Sequence, residues 1–575
     1  MKSNNRSIVS TLISSPSSNL MVGILIGIGL SIGGYIGTVK VFSIITKIIN
    51  DEHKSLISWD EENEDTLGNP LSATFLPEYN GCIYLDYNAT TPVYPQVKNA
   101  IIPYLGSKWG NPSSNHAYAR PCKVALNDAR KIIASLLHAN DIDKSADNII
   151  FTSCGTESDN RAIDVAINHF QTSALALAIE PPSPILSKGK ENSKSSVTFS
   201  LPSTSDFPAH IISSTIEHPA IIAYLKHLES KGTIKLTLVT VDSEGIVNIN
   251  EIANSLSLST ALVTIMHSNN EVGTIQPIKE ISKIINEFNR KENAQVLFHS
   301  DCAQSIGKVP IYVDDLGLDM VTIVGHKYGA PKGIGALYVR EGLRPCPFLF
   351  GGGQEKGLRA GTENIALIAG LSKASEIVLK EQDELMLHML KHKLRILIGL
   401  KNNFTENVVI KETNRDKPLK WEKDKLDLVL KLNGPTISND ADLVLEDIKR
   451  LRDKIESKNN QNSNTDHKIC LKQLPNTLSI SFKDVNASKL LESLSDKVAC
   501  SAGSACHSNE QVMSPVLKAM NMDPSWALGT LRLSWGRHTT DDEIEKAISC
   551  IAKEIKKQTK KSTEPKLDTS VFPWG

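Results

Sequence analysis

Lys327 stands in Ile323-Val324-Gly325-His326-Lys327-Tyr328-Gly329, just past a β-branched run. A lysine at a strand end can reach into the crevice where open α/β sheets bind ligands. Its amine can form a Schiff base with an aldehyde cofactor. It is not a P-loop lysine, because the Gly-x-x-x-x-Gly-Lys-Ser/Thr pattern is absent. Asp301 ends a second apolar run, Gln295 to Asp301. A carboxylate there suits the ring nitrogen of pyridoxal phosphate (PLP), keeping it protonated and the ring an electron sink. Gln304 follows three residues later, at the start of an expected helix, and could hydrogen-bond the phenolic oxygen of that ring. A cofactor phosphate needs backbone N–H groups at a helix start, and Phe151 to Glu157 reads as strand, small-residue turn and helix. Cys506 sits among small and polar residues in SAGSACHS. That setting suits a nucleophilic thiol, which needs access and mobility. Each piece alone has a plainer reading: a solvated lysine, a helix-capping Asp301, a small buried Cys.

Taken in order, these residues carry a resemblance. The segments are YLDYNATTP (84–92), GNPSS (110–114), FTSCGTESDN (151–160), EHPAI (217–221), SNNEVGTIQPI (268–278), HSDCAQSIGK (299–308), GHKYGAPKGIGALYVR (325–340), GGGQEKGLRAGTEN (351–364), SAGSACHS (501–508) and LRLSWGRHTT (531–540). The chain resembles the class V aminotransferase-like family of PLP enzymes, within it the cysteine desulfurases and selenocysteine lyases. The resemblance covers most of residues 82–555. It implies a fold-type-I PLP enzyme, an α/β protein with a mostly parallel seven-stranded sheet in a large domain and a smaller α+β domain. It implies a homodimer with cofactor sites at the subunit interface.

The same resemblance assigns roles. Lys327 holds PLP and moves the α-proton, and Asp301 pairs with the ring nitrogen. Gln304 and Asn270 bind the phenolic oxygen. His218 stacks on the ring and assists proton transfer. Gly155, Thr156 and His326 hold the phosphate, joined by Thr362 from the other subunit. Val324 stands where the family often has Ser, which removes one phosphate hydrogen bond. Arg532, helped by Asn111, clamps the substrate carboxylate with a bidentate fork. Cys506 takes sulfur from L-cysteine as a persulfide, leaving L-alanine, and passes it to an acceptor protein of the kind used in iron–sulfur cluster assembly. The alternative inside the family is release of selenium from L-selenocysteine. The alternative of another class is a catalytically silent, membrane-tethered scaffold. No metal is expected at the site.

These residues need elements to position them. Strand-like runs at 148–153, 210–215, 235–241, 261–267, 295–301, 320–326 and 335–340 alternate with helical patterns such as 279–291. That alternation predicts a mainly parallel sheet covered on both faces. Polar, low-complexity stretches at about 172–208, 411–425 and 456–468 read as surface insertions. Residues 81–348 form the expected large domain, 349–555 the small one and 556–575 a tail.

Ahead of the core, 1–19 is a polar tail, 20–45 is almost wholly apolar, and 46–80 is an acidic linker. The apolar stretch is long enough for a transmembrane helix, so a single-pass membrane anchor is expected. Across all 575 residues the formal charge is −1, which implies no attraction to nucleic acid. The nine cysteines form no C-x-x-C pair and suggest no zinc site or disulfide framework.

Overall fold

All seven strand-like runs form strands of one sheet. They are β2 (Ile149–Thr152), β3 (Ala209–Ser214), β4 (Ile234–Val239), β5 (Thr260–Thr264), β6 (Leu297–Asp301), β7 (Met320–Val324) and β8 (Gly335–Val339); a short β1 (Ile83–Tyr84) precedes them. The computed structural model describes residues 81–179, 208–343, 345–405, 430–435, 441–459, 471–502, 504–507 and 510–563.

The order in the sheet is β2-β8-β7-β6-β5-β3-β4. Only β8 runs antiparallel to its neighbours. The central strands are buried along their whole length, which is why they read as continuous apolar runs. Alternate residues still separate by face. Ile149, Phe151, Val263, Phe298 and Val321 join one core. Ile150, Leu262, Leu297 and Met320 join another on the opposite face.

Helices close both faces. α1 (Pro95–Leu105), α2 (Arg120–Leu136), α5 (Ile278–Glu292) and the start of α6 (Ile365–Thr405) cover the first. α3 (Gly155–Ile179) and α4 (Pro219–Ser230) cover the second. α5 shows the local logic. Ile278, Ile281 and Ile285 recur on its buried stripe, Arg290 and Lys291 occupy its last turn, and Asn293 ends it in the left-handed conformation at φ 51°.

A second sheet, order β12-β15-β10-β9, is antiparallel throughout. Its strands are β9 (Leu430–Asn433), β10 (Thr477–Phe482), β12 (Ser501–Ala502) and β15 (Thr530–Ser534). It shares a core with the later part of α6, α7 (Ala441–Asn459), α8 (Ala487–Leu494) and α9 (Asp541–Thr563). The chain's early segment belongs here too, because β1 pairs with β11 (Val498–Ala499).

The membrane anchor is a correction. Among the described residues no helix is long and apolar enough to cross a membrane. Residues 20–45, on which that expectation rested, lie outside the described residues, as do 1–19 and 46–80. The described helices owe their apolar stripes to the two sheets, and the single-pass anchor and membrane location are withdrawn. Of the expected insertions, 172–179 continue α3 and 456–459 end α7, while 180–207, 460–468 and all of 411–425 lie outside the described residues. Residues 556–563 of the expected tail belong to α9.

Candidate active site

Each candidate residue on the large sheet follows the carboxyl end of a strand whose neighbours hold it in register. β6 ends at Asp301. β7 ends at Val324, and one 3-10 turn, Gly325–Lys327, then carries Lys327. β3 ends at Ser214, and Glu217 and His218 lead into α4. β2 ends at Thr152, and Gly155 opens α3 after two residues.

The Lys327 amine donates to two main-chain carbonyls, Asn88 O at 2.6 Å and Ala89 O at 3.0 Å. Burial, then Arg532, pushes its pKa down to about 8, against the opposing pull of Asp301 and Asp86. Asp301 is buried, which raises its carboxyl pKa; the Ala303 N–H at 2.9 Å, His218 and Lys327 oppose that rise. His218 is exposed and caps α4, its Nδ1 accepting the Ala220 N–H at 3.2 Å. The neutral ring therefore carries its proton on Nε2. Crowding by its neighbours lowers its pKa, and Asp301 opposes.

Behind Asp301 lie two further buried carboxyls, Glu217 and Asp159. Burial pushes the Glu217 pKa up to about 8, although Ser214 Oγ (2.6 Å) and the Met266 N–H (2.9 Å) donate to it. Burial, then Asp301, holds Asp159 well above the usual carboxylate range.

A polar network joins this group to the second sheet through Asn88. Its carbonyl also accepts from Gln304 Nε2 at 3.0 Å. Its side-chain Nδ2 donates to Thr477 Oγ1 at 2.9 Å and to Asn270 O at 3.3 Å. Asn270 O accepts as well from Arg532, at 3.0 Å. Arg532, on β15, donates to Asp86 Oδ1 at 2.7 Å and to Ser501 Oγ at 3.0 Å. Its Nε is buried without a partner among the described residues.

Other candidates are placed less closely. His326 Nδ1 lies 3.1 Å from Thr90 Oγ1, and burial, reinforced by Lys327, pushes its pKa down to about 4. Gly155 and the exposed Thr156 form the first turn of α3. A Cβ on Gly155 would meet Val324 Cγ2 at 2.5 Å, so only glycine lets α3 start this close to β7. Asn111 is exposed, and its side chain accepts the nearby Ser113 N–H; no hydrogen bond joins it to Arg532. Thr362 is exposed in the loop after the turn at Gln354–Gly357. Cys506 lies on β13 (Ser504–His507), opposite Gln511 of β14 (Glu510–Met513). That hairpin follows β12, whose Ser501 pairs in register with Arg532. Gln304 occupies a run of turns rather than the expected helix, because Gly307 breaks the run at φ +81°.

Several polar residues here escaped the sequence reading: Asp86, Asn88, Asp159, Glu217, Lys308, Asn476 and Ser501. All but Asn476 fall inside the motif segments quoted above, so the signal available was position beside a named residue. Asn476 had no such signal; its Nδ2 reaches Asn88 Oδ1 at 3.2 Å only in the folded chain.

Comparison with known proteins adds the following. A family model described as aminotransferase class-V matches residues 83–180 and 188–415. A cysteine desulfurase of Nostoc sp. is 36% identical over 467 residues, covering 81% of this chain and 91% of that protein. A solved structure described as a NifS-like protein superposes with a TM-score of 0.61 at 29% identity, covering 83% of this chain and 99% of that one. Another, described as SspA in complex with cysteine, gives a TM-score of 0.52 at 26% identity over 80% of this chain and all of that one.

Proposed function

This chain belongs to the class-V aminotransferase family, and on that premise we propose that it is a PLP-dependent cysteine desulfurase. One observation carries the chemical reading: a half-buried lysine amine, a buried carboxyl and a histidine act on one another at the carboxyl ends of β7, β6 and β3, beside an arginine whose buried Nε has no partner among the described residues. The donor set fits the cofactor. The half-buried Lys327 amine donates to two carbonyls and has its pKa lowered, which favours the free amine needed to hold an aldehyde. Asp301 provides a carboxyl for the ring nitrogen. The close start of α3 at Gly155 supports a phosphate cradle of backbone N–H groups with Thr156 and His326.

When bound, PLP supplies an electron sink for the bonds at the substrate α-carbon. The chain's own residues do the rest. Lys327 anchors the cofactor and carries the α-proton. His218, neutral with its proton on Nε2, would stack on the ring and serve as a second proton carrier. Asn270 and Gln304 hold the phenolic oxygen. Arg532 binds the substrate carboxylate, held in place by Asp86, Ser501 and Asn270 O; Asn111 assists. Cys506 as thiolate attacks the substrate Sγ. The Cβ–Sγ bond breaks, Cys506 keeps the sulfur as a persulfide, and the remaining carbon skeleton takes up protons to leave as L-alanine. The persulfide then passes to an acceptor protein. The exposed Thr362 supports a homodimer in which that hydroxyl reaches the partner's phosphate.

L-Cysteine is favoured over L-selenocysteine by the relatives, which are named cysteine desulfurases. The test is turnover of both amino acids with a thiol reductant. Wild type produces alanine and sulfide in equal amounts from L-cysteine, and Cys506→Ala retains PLP but makes neither. Turnover of selenocysteine alone would assign the lyase, and neglect of both would reject the proposal.

A further inference from the structure

Lys308 is buried to 4% exposure, yet it forms no ion pair among the described residues. Its Nζ donates to two neutral amide oxygens, Gln304 Oε1 at 2.6 Å and Asn88 Oδ1 at 3.1 Å. Burial, with Lys327 and Arg532 nearby, holds its pKa well below the usual lysine range. A buried lysine is costly unless its N–H groups are used.

The two residues it touches converge on the carbonyl that also holds Lys327. Gln304 Nε2 donates to Asn88 O at 3.0 Å, and the same carbonyl takes the Lys327 amine at 2.6 Å. Turning the Gln304 amide by half a turn would set its NH2 against the Lys308 amine. It would also set its oxygen against the Asn88 carbonyl. The turn would lose the Lys308 donation and oppose two oxygens, so the Lys308 amine and the Asn88 carbonyl together fix which end of Gln304 points towards Lys327. Asn88 is held the same way. Its Oδ1 accepts from Lys308 and from Asn476 Nδ2 at 3.2 Å, which sends its Nδ2 to Thr477 and Asn270 O.

The backbone is built to deliver this amine. Gly307 at φ +81° turns the chain so that Lys308 points back inwards, and a Cβ there would lie 2.4 Å from Tyr328 Cβ. Tyr328 is the residue after Lys327, so the turn bearing Lys308 packs directly on the turn bearing Lys327.

We propose that Lys308 is a positioning residue that locks the Gln304 and Asn88 amides so that Gln304 presents its N–H groups on the Lys327 side, as a donor to the cofactor's phenolic oxygen. This rests on the PLP reading above. A donor at that oxygen stabilises its negative charge and lets the neighbouring proton leave more easily, so losing it raises the pH at which the cofactor's visible band changes.

The experiment is a pH titration of that band in PLP-loaded wild type, Lys308→Met, Gln304→Ala and the double variant, with thermal unfolding as a control for folding. Lys308→Met is expected to raise the midpoint by about half a unit to one unit. Gln304→Ala should raise it in the same direction, and the double variant no further than Gln304→Ala alone. An unchanged midpoint in folded Lys308→Met overturns the proposal. So does a full Lys308→Met effect in the Gln304→Ala background, which would mean direct action on Lys327. Should Lys308→Met not fold, Lys308→Gln carries the same test with the same two outcomes. A wild type with no visible band would instead reject the PLP reading itself.

Discussion

At the scale of single residues, the site works by taking charges out of water beside one another. Lys327 shows this in one number. Its ordinary pKa is near 10.5, and burial with Arg532 brings it to about 8. Its free amine is therefore scarce below pH 8 and predominant above it. In protein stripped of cofactor, the rate at which borohydride traps PLP on Lys327 should rise about tenfold per unit up to pH 8 and then level off. A solvated lysine would keep rising to about pH 10.4, and that profile would contradict the geometry. The linkage has the same sign. Between about pH 8 and 10.5 the folded chain binds fewer protons at this group than the unfolded one, so this group's contribution to stability grows with pH across that window. The cysteines separate on the same physics. Burial pushes the Cys500 thiol up to about 12, which suits a structural role, whereas Cys154 is exposed beside the start of α3.

At the scale of elements, the contact that matters most is between the start of α3 and the end of β7. Val324 is buried and β-branched, so it has little freedom to move aside. Gly155→Ala places a methyl where only 2.5 Å is available to Val324 Cγ2. The expected outcome is PLP binding weakened by about tenfold or more, which is about 1.4 kcal/mol, measured by fluorescence titration. Gly155→Ala/Val324→Ala, which removes the clashing methyl, should recover most of that loss. Failure of the second substitution to recover binding would separate the phosphate cradle from this packing. Val324 thus constrains the residue opposite it, because its Cγ2 leaves no room for a Cβ on Gly155.

At the scale of the whole molecule, Arg532 and Lys327 belong to different sheets and meet through a shared frame. Asn88, from the early chain, bonds Thr477 of β10, Gln304 beyond β6 and Lys327 beyond β7. Trp535 closes that frame. It is wholly buried, its indole N–H donates to Met389 O of α6 at 2.9 Å, and its own N–H reaches Asn476 O at 3.2 Å. Trp535→Ala should cost about 3–5 kcal/mol of stability, read from the denaturant midpoint. It should also raise KM for L-cysteine, because Arg532 lies three residues away on the strand that Trp535 anchors. A stability loss with KM unchanged would show that the second sheet tolerates movement without disturbing the clamp.

The main sheet was legible in the sequence because burial on both faces demands continuous β-branched runs, and their ends marked Lys327, Asp301 and His218. The Cys506 segment stood out because small polar residues around one thiol are chemically unusual, and the fold places it on the β13–β14 hairpin. Other features were not legible. Lys308, Asn88, Asp86 and Asn476 are ordinary polar residues until folding removes water from them. Apart from Gln304, four residues before Lys308, the partners that join them to the site lie hundreds of residues away in sequence, so local spacing does not reveal them. The apolar stretch at 20–45 misled in the opposite sense, since apolar composition and length were the grounds for a membrane helix. Residue type thus determined the chemistry available to this chain. The tertiary structure decided which groups share one dry, hydrogen-bonded frame, because only burial turns a lysine into a free amine or an amide into a fixed donor.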